Sequence, residues 1–154
     1  MKKFLLPIVL SFTSLWLQAQ SQNPMYIDYI NQYRDIAIEQ QRKYNVPAAI
    51  TMAQGILESA AGTSELATQA NNHFGIKCTS DWQGRTIAKD DDMANECFRR
   101  YAEASDSYED HSHFLLRKRY ETLFALPIGD YKAWAYGLKT CGYATDPKYP
   151  EKLI

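Results

Sequence analysis

The sequence predicts a mostly helical α+β domain with one small β excursion. Its 154 residues, 45% hydrophobic and 23% charged, are typical of one globular domain with a substantial core. Most segments place apolar residues at helical spacing and end in capping residues. Residues 78–101 instead show few helical features and carry a turn signal at Gln83-Gly84. We find no repeat, low-complexity tract or linker in the sequence of residues 25–154.

The first residues show the pattern of a secretory signal peptide. Lys2 and Lys3 precede an apolar stretch over residues 4–16, and Leu17-Gln18-Ala19 resembles a cleavage site. The apolar stretch is short for a bilayer span, although an uncleaved anchor is the alternative interpretation. We therefore predict a signal peptide over residues 1–19 and no stable membrane insertion after its cleavage. The protein is expected to be exported, to the periplasm or the outside of a bacterial cell.

Removal of this segment makes the chain mildly acidic. It takes two Lys from the 17 basic residues, and 15 basic against 18 acidic residues give a net charge of −3. Nucleic-acid-binding domains carry a basic patch or stripe, so we predict no nucleic acid partner. We also expect a monomer.

The first three helices follow from periodicity and capping. The first covers residues 25–44, where apolar residues recur at helical spacing. Pro47 suits the first turn of a second helix, which reaches about Ala61 and ends at Gly62. Ser64 caps a shorter helix that runs through Gln69.

The second half of the chain begins with a loop over residues 71–77, and irregular β structure is expected over residues 78–101. A helix then begins at Ser105 or Ser107 and continues to about Arg117. Asp130 caps the last helix, residues 131–140, which Gly142 closes. A tail that contains Pro follows.

Three cysteines, Cys78, Cys97 and Cys141, occur in the sequence. Cys78 and Cys97 flank the hairpin-like excursion, and an oxidising compartment permits them to form a disulfide across its base. Buried free thiols are the alternative. Cys141 remains unpaired and is expected to be packed rather than reactive.

One acid, Glu58, lies near the end of the apolar second helix. Ile50, Ala53 and Leu57 form the predicted buried stripe, and Glu58 lies about 100° around the axis from Leu57. Partial burial and the negative end of the helix dipole both raise the pKa of a carboxyl group there. A carboxyl group that keeps its proton near neutral pH is a candidate general acid. The ordinary alternative is a solvated glutamate at a helix end.

A second carboxylate is offered by Asp90, Asp91 and Asp92 on the β excursion. On an extended strand Asp90 and Asp92 share one face and Asp91 points away. If the excursion folds over the end of the second helix, one Asp faces Glu58 across a groove. Two carboxylates across an aromatic-lined groove are the minimal apparatus of glycoside hydrolysis, and the chain has eleven Tyr and three Trp. Solvated acids or calcium ligands are the alternatives, but the spacing departs from the regular calcium loop.

Four ordered motifs resemble the glucosaminidase domain of glycoside hydrolase family 73. They are AAITMAQGILESAAGTSELA, NNHFGIKC, ECFRRYAEASDSYEDHSHFL and LKTCGYATDPKYPEKLI, and the resemblance covers residues 25–154. This family includes the peptidoglycan-hydrolysing domain of the flagellar rod protein and several autolysins. The resemblance implies a lysozyme-like fold with a β-hairpin lobe. It also implies an endo-β-N-acetylglucosaminidase that cuts peptidoglycan glycan strands on the reducing side of N-acetylglucosamine.

The resemblance also implies site residues. The general acid of the family falls on Glu58, and its second carboxylate falls within residues 90–92, where we favour Asp92 and then Asp91. An aromatic residue near the catalytic centre falls on Tyr143. We expect glycan contacts from residues in the other motifs: Asn72, Phe74, Tyr108 and Tyr149. The second carboxylate acts either as the base for a water or in a reduced role, with the N-acetyl group of the substrate as the nucleophile.

Other classes of protein compete with this interpretation. A lytic transglycosylase has a similar fold and a single Glu, and a non-catalytic module would bind glycan without cutting it. A Cys–His peptidase would pair Cys97 or Cys141 with His111, but we expect His111 to hydrogen-bond locally and hold its helix. His73, His111 and His113 lack zinc spacing, so no metal and no cofactor are predicted.

Overall fold

The computed structural model describes residues 23–154, so the predicted signal peptide lies outside the described residues. This part of the chain contains six α-helices, one 3-10 helix and a two-stranded antiparallel sheet. None of the helices in this part is long and apolar enough to cross a membrane. The elements are α1 (Pro24–Tyr44), α2 (Ala48–Glu58), α3 (Glu65–Ala70), β1 (Thr86–Lys89), β2 (Glu96–Arg99), α4 (Ala104–Leu115), the 3-10 helix (Lys118–Ala125), α5 (Tyr131–Thr140) and α6 (Tyr149–Leu153).

Helices α1 and α2 pack closely because Gly55 has no side chain. A Cβ atom at Gly55 would lie 2.6 Å from the Tyr29 hydroxyl oxygen, which is closer than nonbonded atoms approach. The side chain of Asn23 accepts a hydrogen bond from the Met25 amide at the start of α1. The residue after α1, Asn45, takes the left-handed conformation that ends helices. This chain reversal positions α2 across the body of the domain.

Helix α2 lies between two groups of buried side chains. Ile50 belongs to a cluster with residues of the C-terminal half, Leu115, Tyr120, Leu123, Trp134, Leu138, Tyr149 and Leu153. Met52 belongs to a second cluster, with Tyr29, Ala37, Phe74, Ile76 and Tyr108. The predicted stripe is present, since Ile50 is buried and Ala53 and Leu57 are partly buried against the first cluster. Contacts on both sides hold α2 and its C-terminal end in a fixed place.

The β-hairpin differs in detail from the prediction. Its turn lies at residues 90–95, between β1 and β2, and not at Gln83-Gly84, which precedes the hairpin. The three aspartates therefore lie in the hairpin loop rather than on an extended strand. Asn95 takes a left-handed conformation, and its amide donates to the Asp90 carboxylate, so the acids themselves help to form the turn.

The predicted disulfide between Cys78 and Cys97 is confirmed, with a Cα–Cα distance of 5.4 Å. Cys97 lies within β2, and the Cys78 amide donates to the Cys97 carbonyl oxygen at 2.8 Å. The bridge therefore joins β2 to a neighbouring segment rather than closing the open ends of a hairpin. Closing a loop of 19 residue steps stabilises the fold by about 3 kcal/mol in the chain-entropy account.

The hairpin is also fastened to the helical body through one arginine. The guanidinium of Arg99 in β2 donates to both carboxylate oxygens of Asp110 in α4, at 3.0 and 2.9 Å. The Arg99 side chain is 8% exposed, so water competes little for this pair. The ring of Trp82 covers the same guanidinium at 4.5 Å.

The ends of the later elements depart from the prediction. Helix α4 starts at Ala104 with a capping box formed by Glu103 and Asp106, rather than at a serine cap. The 3-10 helix after it was not predicted. The expected tail folds into α6, which buries Tyr149 and Leu153 against the first cluster.

Candidate active site

Glu58 is the last residue of α2 and lies where the chain changes direction. Ser59 caps the helix end: its amide and its hydroxyl both donate to the Gly55 carbonyl oxygen, and its Oγ accepts from the Gly62 amide. Ala60, Ala61 and Gly62 have left-handed φ angles of 50°, 52° and 81°. This compact reversal turns the chain away from the helix end and leaves Glu58 at the edge of a groove.

Two cavities meet at Glu58. One, of about 370 Å³, is lined by Glu58 together with Phe74, Ile76, Lys77, Phe114 and Arg117. The other, of about 510 Å³, is lined by Glu58 together with Leu57, Asp91, Asp146, Tyr149 and Lys152. Glu58, Tyr143 and Ala144 line both. The groove therefore runs across the acid and extends to both sides of it.

The environment of Glu58 raises its pKa above the ordinary value. The Glu58 side chain is exposed to the groove, although protein atoms near the carboxyl group remove part of its hydration. Loss of hydration is the main cause of the shift, and the hydrogen bond from Tyr149 opposes it. The direction agrees with the prediction from the position of Glu58 on α2.

A chain of hydrogen bonds runs from the core to Glu58. The Tyr149 hydroxyl donates to Glu58 Oε1 at 3.0 Å and accepts from Gln54 Nε2 at 2.9 Å. Gln54 Oε1 lies 3.1 Å from His111 Nε2. Because amide oxygen only accepts, His111 carries its proton on Nε2, and burial lowers the pKa of His111 to about 3. Each hydrogen bond in this series is thus donated in the direction of Glu58, and the neutral His111 is the first donor.

This arrangement corrects the prediction for His111. Its partner Gln54 lies 57 positions away on α2, so the imidazole joins two helices instead of holding its own. The ring of Phe74 stacks on the imidazole at 4.0 Å and covers it. Phe74 is itself buried at the inner wall of the smaller cavity.

The hairpin loop supplies the acids on the other side of the groove. Asp91 lines the larger cavity together with Glu58, whereas Asp92 lines neither cavity and its side chain is 85% exposed. The preference for Asp92 over Asp91 therefore reverses on geometry. The hairpin turn explains the difference, because residues in a loop do not follow the alternation expected of a strand.

Lys77 gathers three carboxylates of the hairpin around its ammonium group. Its Nζ lies 2.9 Å from Asp91, 3.1 Å from Asp92 and 2.8 Å from Glu96. The ammonium holds the pKa of Asp91 below its usual range, so this carboxyl is ionised near neutral pH. Oxygen atoms of these three acids also lie within 4.8 Å of one another, as cation ligands would, and Lys77 supplies the balancing charge.

Comparison with known proteins identifies the chain. The sequence model of a family described as mannosyl-glycoprotein endo-beta-N-acetylglucosaminidase matches residues 34–154. The chain belongs to the glucosaminidase family.

Relatives of this glucosaminidase-family chain are named as a glucosaminidase, a peptidoglycan hydrolase and a glycoside hydrolase domain. It is 36% identical over 146 residues to exo-glucosaminidase LytG of Bacillus subtilis, a match that covers 86% of this chain and 49% of LytG. The crystal structure of a peptidoglycan hydrolase from Sphingomonas sp. A1 has a TM-score of 0.72 and 28% identity, with 82% of this chain and 83% of the other covered. The glycoside hydrolase domain of FlgJ from Salmonella typhimurium has a TM-score of 0.70 and 27% identity, with 83% of each chain covered. The chain spans about half the length of curated relatives that it matches, such as LytG.

Several residues assigned from the resemblance to the glucosaminidase family lie in the core. Tyr108 is 0% exposed and donates to the Tyr29 hydroxyl, so its side chain cannot contact a glycan in this structure. Asn72 is 1% exposed and donates to the Ile76 and Arg99 carbonyl oxygens, which fixes the start of the hairpin lobe. Both predicted glycan contacts are thus corrected to structural positions.

Tyr143 and Tyr149 do lie beside the acid. Tyr143 is partly buried, lines both cavities and stacks on Tyr149 with ring centroids 5.7 Å apart. Burial raises the pKa of Tyr143 well above its ordinary value, so its phenol stays neutral. Tyr149 is 3% exposed, and its hydroxyl donates a hydrogen bond to Glu58. Tyr149 is therefore a hydrogen-bond partner of Glu58 rather than a glycan contact.

Sequence reasoning missed three residues of the site. Gln54 lies one helical turn before Glu58 on α2, and a polar residue at that spacing in an apolar helix is the signal that would have found it. Lys77 stands in the NNHFGIKC motif next to Cys78. The sequence pattern places Arg117 only at a predicted helix end. Cys97 is disulfide-bonded and has no thiol, which removes it from the peptidase alternative; Cys141 is partly buried, with its sulfur 3.7 Å from the Thr122 hydroxyl.

Proposed function

We propose that this protein is an exported endo-β-N-acetylglucosaminidase that cuts the glycan strands of peptidoglycan. One observation carries the proposal: a carboxyl group with a raised pKa, Glu58, stands in a groove that extends to both sides of it. Membership of the glucosaminidase family supports the choice of bond, and two relatives named as peptidoglycan hydrolases, the Sphingomonas sp. A1 protein and FlgJ of Vibrio parahaemolyticus, support the choice of substrate.

Glu58 acts as the general acid. Tyr149 donates to Oε1 and leaves Oε2 to carry the proton toward the glycosidic oxygen. As the bond between the anomeric carbon and that oxygen breaks, the proton passes to the oxygen and the leaving sugar departs with a free hydroxyl group. Desolvation raises the pKa of Glu58 and so favours the protonated carboxyl group, and the hydrogen bond from Tyr149 opposes that shift.

Asp91 takes the second role. Its ionised carboxylate lines the same cavity as Glu58, which supports a position beside the anomeric carbon on the hairpin side. There it accepts the proton of the attacking water, or it supports the N-acetyl group of the substrate when that group attacks first. Both routes end with water added across the broken bond.

The open groove supports an endo mode of cutting. Two cavities that share Glu58 give a strand room on both sides of the acid, whereas an enzyme that removes terminal units needs one side closed. Export is part of the proposal, because the glycan lies outside the cytoplasm and residues 1–19 have the pattern of a signal peptide.

Identification of the new chain ends tests this function. The chain from Gln20 onward is incubated with purified peptidoglycan, and the products are reduced with borohydride and analysed by mass spectrometry. We expect reduced N-acetylglucosamine at the new ends and fragments of many lengths. Reduced N-acetylmuramic acid would contradict the choice of bond, and anhydro-muramic ends would show a lytic transglycosylase. Binding to the wall with no new ends would show a non-catalytic module, and single disaccharide units from the outset would contradict the endo mode.

A further inference from the structure

The smaller cavity beside Glu58 contains two cationic side chains with different surroundings. Lys77 and Arg117 both line it. The ammonium group of Lys77 forms ion pairs with Asp91, Asp92 and Glu96, at 2.8 to 3.1 Å. Among the described residues that line this cavity, Arg117 is therefore the cation whose charge remains for a ligand.

The guanidinium of Arg117 is held against the wall of the cavity. Its central carbon lies 4.4 Å from the centre of the Phe114 ring, and Phe114 lines the same cavity. Within residues 23–154, no carboxylate lies within ion-pair distance of it. The charge of Arg117 contributes to the lowered pKa of Asp81, which lies beyond ion-pair distance. A flat, oriented guanidinium with open donors is suited to bind a carboxylate through two parallel hydrogen bonds.

The substrate of the proposed reaction carries a carboxylate next to the bond that is cut. Glycan strands of peptidoglycan alternate N-acetylglucosamine and N-acetylmuramic acid. An enzyme that cuts after N-acetylglucosamine therefore has a muramic acid on the leaving side. Muramic acid bears a lactyl ether, whose carboxyl group is either free or joined to a peptide that contains further carboxylates.

We propose that Arg117 binds a carboxylate of the muramic acid residue adjacent to the bond that is cut. This inference rests on the proposed function and adds a specificity residue to it. The apolar walls formed by Phe74, Ile76 and Phe114 contact the sugar ring and the lactyl methyl group, and Arg117 binds the carboxylate. Strands without this charge are then poorer substrates. The two sources of the carboxylate, the lactyl group and the peptide, are separated by experiment.

The test compares Arg117→Gln with Lys118→Gln, which removes the same charge from the neighbouring exposed residue. Each variant is assayed for kcat/KM on peptide-bearing strands, on peptide-free strands, and on peptide-free strands whose lactyl carboxyl groups have been converted to amides. Loss of a charge-assisted hydrogen bond predicts about a tenfold fall for Arg117→Gln on a strand that carries the recognised carboxylate. Lys118→Gln should match the wild type on every strand.

The pattern across substrates identifies the carboxylate. If the lactyl group is bound, amidation lowers the wild-type rate and leaves Arg117→Gln unchanged. If the peptide is bound, Arg117→Gln is impaired only on peptide-bearing strands. Arg117→Lys should recover part of the loss, because it restores charge without the two parallel donors. Equal behaviour of Arg117→Gln and Lys118→Gln on all three strands would overturn the inference. A wild-type enzyme that releases no ends from any strand would instead overturn the proposed function.

Discussion

The two sides of the groove hold carboxyl groups of opposite character. Glu58 lies against the helical body, where loss of hydration raises its pKa and the uncharged phenol of Tyr149 is its hydrogen-bond partner. Asp91 lies in the hairpin loop, 48% exposed, and the ammonium of Lys77 lowers its pKa. The pKa values of two groups with the same chemistry are thus shifted in opposite directions. Burial favours the protonated form on one side and a neighbouring charge favours the ionised form on the other, as the proposed acid and base require.

The largest effect on this comparison is expected from a variant in which residue 58 can no longer donate a proton. Glu58→Gln preserves the shape and helix propensity of the residue, and we expect activity on peptidoglycan to fall about 10²–10⁴-fold. Initial rates of reducing-end release check this, with Glu65→Gln on the exposed face of α3 as the matched control. Retention of activity within threefold would falsify the catalytic assignment of Glu58.

The same variant should be more stable than the wild type at neutral pH. A carboxyl group whose pKa is raised on folding lowers the stability of the fold at pH values above its ordinary pKa of 4.5, and this cost disappears below that value. The melting temperature of Glu58→Gln should therefore exceed that of the wild type at pH 7, and the two should converge as the pH falls through that value. A difference that grows toward acid pH would contradict the raised pKa.

Removal of the disulfide tests how much this bond stabilises the hairpin side of the groove. We expect Cys78→Ser with Cys97→Ser to lower the free energy of unfolding by about 3 kcal/mol, which corresponds to a fall of about 10 °C in melting temperature. Scanning calorimetry measures this, and Cys141→Ser is the control, since Cys141 is not in the bridge. Equal melting temperatures for the double variant and the wild type would show that Arg99 and Asp110 suffice to hold the hairpin.

Asp91 and Asp92 are neighbours in sequence but differ in their position relative to the groove. Asp91→Asn should lower kcat about 10²-fold, near the lower end for a positioned base, whereas Asp92→Asn should remain near the wild type. Both substitutions take one carboxylate from Lys77, so each controls for the charge lost around it. The reverse order of effects would restore the preference drawn from the sequence.

The smallest expected effect concerns the partner of the acid. Tyr149→Phe removes the hydrogen bond that lowers the pKa of Glu58, so the alkaline limb of the pH–rate profile should move to higher pH. The same hydrogen bond orients the carboxyl group. Loss of about 1 kcal/mol of transition-state stabilisation predicts about a fivefold fall in kcat near neutral pH. Tyr136→Phe, an exposed tyrosine on α5, is the control. A pH limb that does not move would reduce Tyr149 to packing.

The sequence predicted the side of the groove that is built from local structure. Glu58 follows from helical periodicity within eleven residues of α2, and the direction of its pKa shift follows from that position. The Cys78–Cys97 bridge followed from the export context and the flanking positions. The burial of Tyr108 did not, because a tyrosine on an amphipathic helix shows no sign of whether it faces the core or a ligand.

The hairpin and the partner of the acid needed the structure. The turn forms at the aspartates because Asp90 accepts from the Asn95 amide, an interaction that competes with strand pairing and leaves no periodic pattern. The Tyr149 contact with Glu58 joins residues far apart in sequence. Such a contact depends on the packing of α6 against α2, which local propensity does not encode.

That contact also sets the order in which the site can assemble. Glu58 and Tyr149 are 91 positions apart, so their hydrogen bond forms only after the chain has closed a long loop and α6 has docked on the body. Contacts of such separation form late in folding. During synthesis the acid emerges from the ribosome well before its partner does. A chain in which only the first helices have folded therefore carries the acid without the hydroxyl group that tunes it.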